Sequence, residues 1–320
     1  MACRSSPRTT LGSIARFSPR VAKRVVSRLR REGQIERART LAGVAVDAAR
    51  SSGDEAQLVE ALRESAEVEL ELRRPSVARA LLEDALARCP SSGSTAALAC
   101  RVVLGEARIR SGLRPAGLAT LESALAELVR AAPSADEVRA RSALAAWHPD
   151  PSVARETVLA GSARHTGLQA AELLLALADL EIRAGNLPIA HRCCADALAR
   201  RDPADEPQAA RIHLRVAAVE RLLGRIDRAH AAADRAAATW AALGCPATDE
   251  VQIERGLICA AEGRWAEVGE LLEPALRGGR ETAEIHLALA GAAASSRRWS
   301  LFRAHVERAD TSLPRPVPFP

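Results

Sequence analysis

The sequence predicts an all-α chain, a right-handed solenoid of about eight antiparallel helix pairs, and three observations carry that expectation. The first is a register of small residues. With the short loop inside each pair taken as an anchor, the anchors are Gly33, Arg73, Gly112, Pro149, Gly185, Gly224, Gly263 and Arg297, spaced by 40, 39, 37, 36, 39, 39 and 34 residues. Seven residues before each anchor stands Val26, Ala66, Gly105, Ser142, Ala178, Ala217, Gly256 or Ala290. Five after it stands Ala38, Ala78, Gly117, Ala154, Ala190, Ala229, Val268 or Phe302, and twelve after it Ala45, Ala85, Ala124, Gly161, Ala197, Ala236, Ala275 or Ala309. Helices approach closely only where side chains are small, so three such columns in one phase mark a repeated helix–helix contact. The second observation is compositional: 48% of the residues are hydrophobic, yet the chain has 3 Phe, 0 Tyr and 1 Met. A core of Leu, Ala and Val suits helix-on-helix packing rather than a β-sandwich. The third is punctuation, with breakers such as SSGD (51–54) and WHPDP (147–151) falling between the apolar stretches.

Taken in order, residues 1–19 (MACRSSPRTTLGSIARFSP) are rich in Ser, Arg and Pro without a helical period, and read as a disordered basic arm. The first pair is expected at 20–32 and 35–51. SSGD then interrupts the chain and offers an N-cap to the next helix. Pairs follow at 55–73 with 75–89 and at 95–111 with 114–131. PSADE (133–137) opens a shortened pair, the irregular unit near 133–162, because Pro149 and Pro151 forbid a continuing helix; a bend is expected there. Regular pairs resume at 166–184 with 187–200, 206–223 with 226–243, 247–262 with 265–277, and 281–296 with 299–312. The repeat domain is therefore expected over 20–312, with an extended Pro-rich tail at 313–320. Solenoid ends need polar caps, but the last helix carries Trp299, Phe302 and Val306. Its outer face is expected to be covered by a partner, by another domain, or by the rest of a longer protein.

Units such as LRVAAVERLLGRIDRAHAAADRAAATW (214–240) and LLALADLEIRAGNLPIAHRCCADALA (174–199) resemble tetratricopeptide repeats, whose small residues fall at the same three places around a Gly-containing turn. The resemblance covers 20–312, with departures. The period exceeds the usual ~34 residues, the large aromatics early in the first helix are missing, and the closing proline is irregular. Long units of this kind are similar to the repeat regions of bacterial MalT-type and LuxR-type regulators. RRWSLFRAHVERA (297–309), preceded by HLALAGAA (286–293), resembles the C-terminal arrays of bacterial Ser/Thr kinases.

The resemblance implies a protein-binding scaffold in which the first helix of each pair lines a concave groove. The groove position ten before each anchor reads Lys23, Arg63, Val102, Arg139, Leu175, Leu214, Ile253 and Leu287. Lys23, Arg63, Arg139, Leu175 and Leu214 are thus the candidate partner-binding residues, in a groove suited to an acidic-then-hydrophobic peptide. Basic residues at this place resemble those of carboxylate-clamping repeat proteins, but Ser27, Glu67 and Glu106 stand where such clamps carry asparagine, which argues against a true clamp. Trp265 and Trp299, each two after an anchor, read as core between repeats, while Trp147 and Trp240 near helix ends are candidates for partner contact.

Composition narrows the function further. Of the 45 basic residues only Lys23 is lysine, an Arg bias that with abundant Ala reflects a GC-rich genome. Seven cysteines (3, 89, 100, 193, 194, 245, 259) form no CxxC pair and have no His at zinc spacing, so they read as small buried hydrophobes in a reducing cytoplasm, with no metal. No apolar run approaches the ~18 residues of a membrane span, and no secretory core opens the chain. The motifs GxxxxGK[ST], GxGxxG, HRD and DFG are absent, and the 7 His are scattered without HExxH, so neither catalysis nor a cofactor is expected. Charge is uneven: residues 1–40 hold eleven basic and two acidic groups, an excess of nine, which leaves the remainder at −4 within a total of +5. Within that stretch SPRVAKRVVSRLRREGQIERA (18–38) resembles the recognition helix and turn of a winged helix, which makes nucleic acid a rival partner. The leading reading is a protein-interaction adaptor. The alternatives are the regulatory repeat segment of a kinase or ATP-dependent transcription regulator, and a nucleic-acid binder acting through the basic first forty residues.

Overall fold

The computed structural model describes residues 19–31, 34–244, 249–277 and 282–312. The expected arm and tail fall almost wholly outside these, as does the first anchor, Gly33. Among the described residues there are sixteen helices and no strand. They are α1 (Pro19–Arg31), α2 (Ile35–Ser52), α3 (Glu55–Glu71), α4 (Pro75–Ala87), α5 (Thr95–Arg110), α6 (Arg114–Leu128), α7 (Ala135–Trp147) and α8 (Pro151–Arg164). The series continues with α9 (Gly167–Arg183), α10 (Leu187–Arg200), α11 (Glu206–Leu222), α12 (Ile226–Ala242), α13 (Asp249–Ala261), α14 (Trp265–Arg277), α15 (Ala283–Ser295) and α16 (Trp299–Ser312). The chain divides into two compact units, one ending at Ala176 and the other beginning at Leu177, so that the division falls within α9.

Helix pairs close by one repeated turn. The anchor takes left-handed backbone, with φ of +85° at Gly112, +77° at Gly185, +72° at Gly224 and +74° at Gly263. The next N–H then reaches back five residues: Leu113 to the Arg108 carbonyl, Asn186 to Glu181 and Arg225 to Glu220 at 2.8 Å, and Arg264 to Cys259 at 2.9 Å. This is the Schellman closure, which satisfies a helix-end carbonyl and turns the chain sharply. Arg73 (φ +57°) and Arg297 (φ +55°) adopt the same geometry without glycine, with Arg74 bonded to Glu69 and Arg298 to Ala293 at 2.8 Å.

Connections between pairs use different chemistry. There the incoming helix is capped by a side chain: Asp54 accepts from Gln57 N (3.0 Å), Ser94 from Ala97 N (3.2 Å), Ser134 from Glu137 N (3.2 Å), Asp205 from Gln208 N (2.9 Å) and Thr282 from Ile285 N (3.3 Å). Second helices such as α4, α6 and α10 lack a side-chain cap and carry proline in the first turn instead.

The fourth pair is the exception its prolines require. Helix α7 stops at Trp147, His148 is extended, and Asp150 caps α8 by accepting from Ser152 N at 2.8 Å. A buried ionic cluster joins this pair: Arg141 donates to Glu137 Oε1 (2.9 Å) and to the Thr157 carbonyl (2.5 Å), while Arg164 and His165 stand 3.2 and 3.4 Å from Glu137 Oε2. Gly161 leaves the room, since a methyl group there would lie 2.5 Å from Arg141 Cδ.

The predicted small-residue columns are the seams of both units. Ala78, Ala154, Ala190 and Ala229 are wholly buried, as are Ala66, Ala85, Ala124 and Ala236. At α5–α6 the approach is backbone on backbone: a methyl on Gly117 would lie 2.7 Å from the Gly105 carbonyl oxygen. Leucines fill the space between seams, with Leu62, Leu82, Leu121 and Leu272 fully buried, each contributing about 1.5–3 kcal/mol. Second helices pack on the first helix of their own pair and on that of the next, as α4 does on α3 and α5 in the first unit and α14 on α13 and α15 in the second. First helices also touch one another, α1 to α3 to α5 to α7 in the first unit and α11 to α13 to α15 in the second. That asymmetry puts the first-helix layer on the inner side of each unit.

Candidate functional site

The first-helix layer of the first unit carries a network of ionised side chains, and the predicted Lys23, Arg63 and Arg139 all belong to it. Glu67 on α3 is its centre. Its Oε1 is 2.5 Å from Arg63 Nη1 and 3.0 Å from Arg139 Nη1, and its Oε2 is 2.7 Å from Arg30 Nη1. Arg139, projecting from α7, also places Nε 2.5 Å from Glu106 Oε1 on α5, so one guanidinium spans three successive first helices. Arg30 continues to Glu71 at 2.6 Å, and Arg63 to Glu64 at 3.2 Å. Lys23 sits at the rim, 2.5 Å from Glu60 and 4.0 Å from Glu64. Exposure is graded outward: the side chain of Glu67 is 7% exposed, that of Arg63 16%, of Arg139 28% and of Lys23 40%.

Electrostatics follow the geometry. Burial would push the Glu67 carboxyl up, yet Arg139, Arg63 and Arg30 together hold it down at about 2. Glu64 goes the other way, because burial and the neighbouring Glu67 raise it against the pull of Arg63, Arg30 and Lys23. Glu64 Oε2 receives no hydrogen bond, with Arg30 Nη1 3.8 Å away. Burial would lower Arg139, but its Glu106 and Glu67 partners hold it above the usual arginine value. The predicted cations are therefore not free charges facing an acidic ligand. They are paired with Glu64, Glu67 and Glu106, and Arg30 joins them from a repeat position that the groove column does not include.

The two predicted leucines lie elsewhere. Leu175 is half-buried on α9, and Leu214 belongs to the core of the second unit, packed with Ala210, Ala236, Trp240 and Val251. Leu287, in the same column, is exposed. The second unit carries a smaller pair on its first-helix layer, with Arg221 2.8 Å from Glu254 and both side chains 10% exposed. Of the tryptophans, Trp147 is partly exposed, but Trp240 is 6% exposed and is core rather than a contact residue, because it closes the seam between α11 and α13. Trp265 is packed against Gly291 as expected of a residue between repeats, whereas Trp299 is 56% exposed.

Among the described residues, no group of three or more His, Cys, Asp or Glu side chains is placed to hold a metal, and no helix is long and apolar enough to cross a membrane. No family model and no curated protein matches the chain. Solved structures do. A Rap protein complexed with competence and sporulation factor aligns with a TM-score of 0.62 at 11% identity, over 92% of this chain and 97% of that one. The apo quorum sensor NprR of B. thuringiensis aligns with a TM-score of 0.59 at 11% identity, over 95% and 91%. A tetratricopeptide repeat protein of Parabacteroides merdae aligns with a TM-score of 0.52 at 15% identity, over 80% and 94%. The fold is a tetratricopeptide-like helical solenoid, as the small-residue register implies.

Proposed function

We propose that the chain is a protein-interaction scaffold whose first unit receives a peptide or partner segment along its first-helix layer, over the Glu67 network. The observation that supports this most is the network itself. Buried ion pairs lose much of their attraction to desolvation, and well-packed leucines would hold these helices together at least as well. A prearranged set of guanidinium and carboxylate groups, graded from buried to exposed on the inner layer, offers what recognition needs: fixed donors and acceptors that require no ordering when a ligand arrives. Because the cations are already paired, the ligand chemistry over this unit differs from the acidic part of the acidic-then-hydrophobic peptide that the sequence suggests. A segment carrying both signs can exchange pairs with Arg139, Lys23 and Glu106 without leaving a buried charge alone. The solved neighbours named above include a Rap protein complexed with competence and sporulation factor and a quorum sensor, which supports reading the chain as a regulatory scaffold; the cysteine usage of the sequence favours a bacterial cytoplasm. A kinase or transcription regulator is the partner class that the sequence resemblance favours.

The test is selection from a displayed library of random peptides against the purified chain, followed by fluorescence anisotropy of the selected peptides at low and moderate salt. Peptides bearing both charge signs are expected, with affinity reduced about tenfold or more by Arg139→Ala, the scale of a lost charge-assisted pair. Peptides that bind Arg139→Ala and Lys23→Ala as they bind the unaltered chain would remove this reading. Binding confined to added nucleic acid, and lost steeply with salt, would move the function to the basic first forty residues.

A further inference from the structure

Within the second unit, the last helix pair presents a knob whose matching hole is seen one repeat earlier. From this we infer that α16 is a docking surface for a partner α-helix bearing a glycine or alanine notch between aliphatic residues. The argument rests on register. Trp265, Val268 and Leu272 of α14 stand two, five and nine residues after Gly263; Trp299, Phe302 and Val306 of α16 stand two, five and nine after Arg297. In α14 this stripe lies between two first helices. A methyl group on Gly256 of α13 would come within 2.5 Å of Leu272 Cδ2, and one on Gly291 of α15 within 2.5 Å of Trp265 Cζ3. Val268 and Leu272 are wholly buried in a cluster that includes Ile285, Leu289 and Ala292 of α15.

In α16 only the inner half of that arrangement is filled. Ala309 is 3% exposed, like its counterpart Ala275 at 2%, but Trp299 is 56% exposed, Val306 39%, and the adjacent Leu301 43%. The Trp299 and Phe302 rings meet edge to face, centroids 6.1 Å apart, which holds the indole in place as a preformed knob. The occupant follows from the interface already present one repeat back. A helix that reproduces the outward stripe of α15, with a notch opposite Trp299 and aliphatic residues on either side, finds on α16 the surface that α15 finds on α14. Exposed Arg298, Arg303, Glu307, Arg308 and Asp310 flank the stripe with both signs, so small-residue packing rather than net charge selects the partner.

A suitable probe is a capped peptide of residues 282–296, held helical by a side-chain lactam on the face away from Gly291 and checked by circular dichroism. It is titrated into the full chain while tryptophan fluorescence is followed. Saturable binding is expected, weakened at least tenfold by Trp299→Ala in the chain and by Gly291→Leu in the peptide, but unchanged by Arg50→Ala, a change at an exposed side chain of α2 in the first unit. Absence of binding by the helical peptide, or equal binding of the Gly291→Leu peptide, or indifference to Trp299→Ala, would overturn the proposal. So would a doubling of mass with concentration, without peptide, that Trp299→Ala abolishes, because the face would then belong to a second copy of the chain.

Discussion

Glu67 decides how the first-unit network behaves. Three guanidinium groups converge on its two oxygens at 2.5–3.0 Å, so removal of this carboxylate leaves Arg30, Arg63 and Arg139 crowded and partly buried without their common partner. Breaking a buried ionic group in this way costs about 3–5 kcal/mol, and Glu67→Gln should lower the urea midpoint of the first unit accordingly. Glu64→Gln should cost less than about 1 kcal/mol or even stabilise, since burial already disfavours the Glu64 charge and its Oε2 accepts no hydrogen bond. Acid reports the same asymmetry. Glu67 is depressed from the usual 4.5 to about 2, so its contribution is fully present above pH 4.5 and is lost as the pH falls toward 2. The stability gap between the unaltered chain and Glu67→Gln should therefore close over that window; a gap that is the same at pH 7 and pH 2.5 would show that the carboxylate charge is not what Glu67 contributes. Part of this site is legible in the sequence: Arg63 and Arg139 fall in the groove column, and Glu67 and Glu106 stand out as acids where a clamp would carry amides. The pairing itself is not, because Arg139 reaches Glu67 across α5 and Arg30 enters from another repeat position, and both depend on how closely the first helices crowd together.

The helices themselves were legible almost to their ends because one turn is used repeatedly. A left-handed anchor followed by an N–H that reaches back five residues leaves little freedom in where a first helix stops, and proline or a side-chain cap fixes where the next one starts. The α7–α8 junction is equally legible for the opposite reason: Pro149 and Pro151 exclude the turn that the other described pairs use. What sequence cannot separate is a glycine that packs from one that does not. A methyl group on Gly43 of α2 would meet nothing within 4 Å, so Gly43→Ala should stabilise α2 by about 0.5–1 kcal/mol through helix propensity alone. A methyl on Gly117 of α6 would meet the Gly105 carbonyl oxygen at 2.7 Å and the Ile109 nitrogen at 2.9 Å, backbone atoms that cannot move aside, and Gly117→Ala should destabilise by about 1–3 kcal/mol. Arg297 supplies the matching test of the turn. It holds φ +55° at a cost of about 1–2 kcal/mol, so Arg297→Gly should raise the stability of the last pair by a similar amount, read from slowed amide exchange in α15 and α16. No change in exchange at Arg297→Gly would mean that the left-handed turn carries no strain there.

At the scale of the whole molecule, a solenoid distributes stability differently from a domain with one central core, because each pair is held by its neighbours and a local loss should fade along the array. The chain carries its own reporters of this. Cys100 lies buried in the first unit, and burial pushes its thiol up to about 12; Cys194 in the second unit is likewise pushed up to about 12 by burial. Thiolate is the reactive form, so neither residue should be alkylated near neutral pH until the helices around it open. Labelling with iodoacetamide across a urea series, with each cysteine read separately by peptide mass spectrometry, then gives two opening curves from one sample. Glu67→Gln lies on α3, one helix pair before Cys100 on α5 and several pairs before Cys194 on α10. It should shift the Cys100 curve to lower urea by most of the global effect and move the Cys194 curve much less. Equal shifts at both cysteines would mean that the array opens as one cooperative body, and the local character that the repeat register implies would not extend to its energetics.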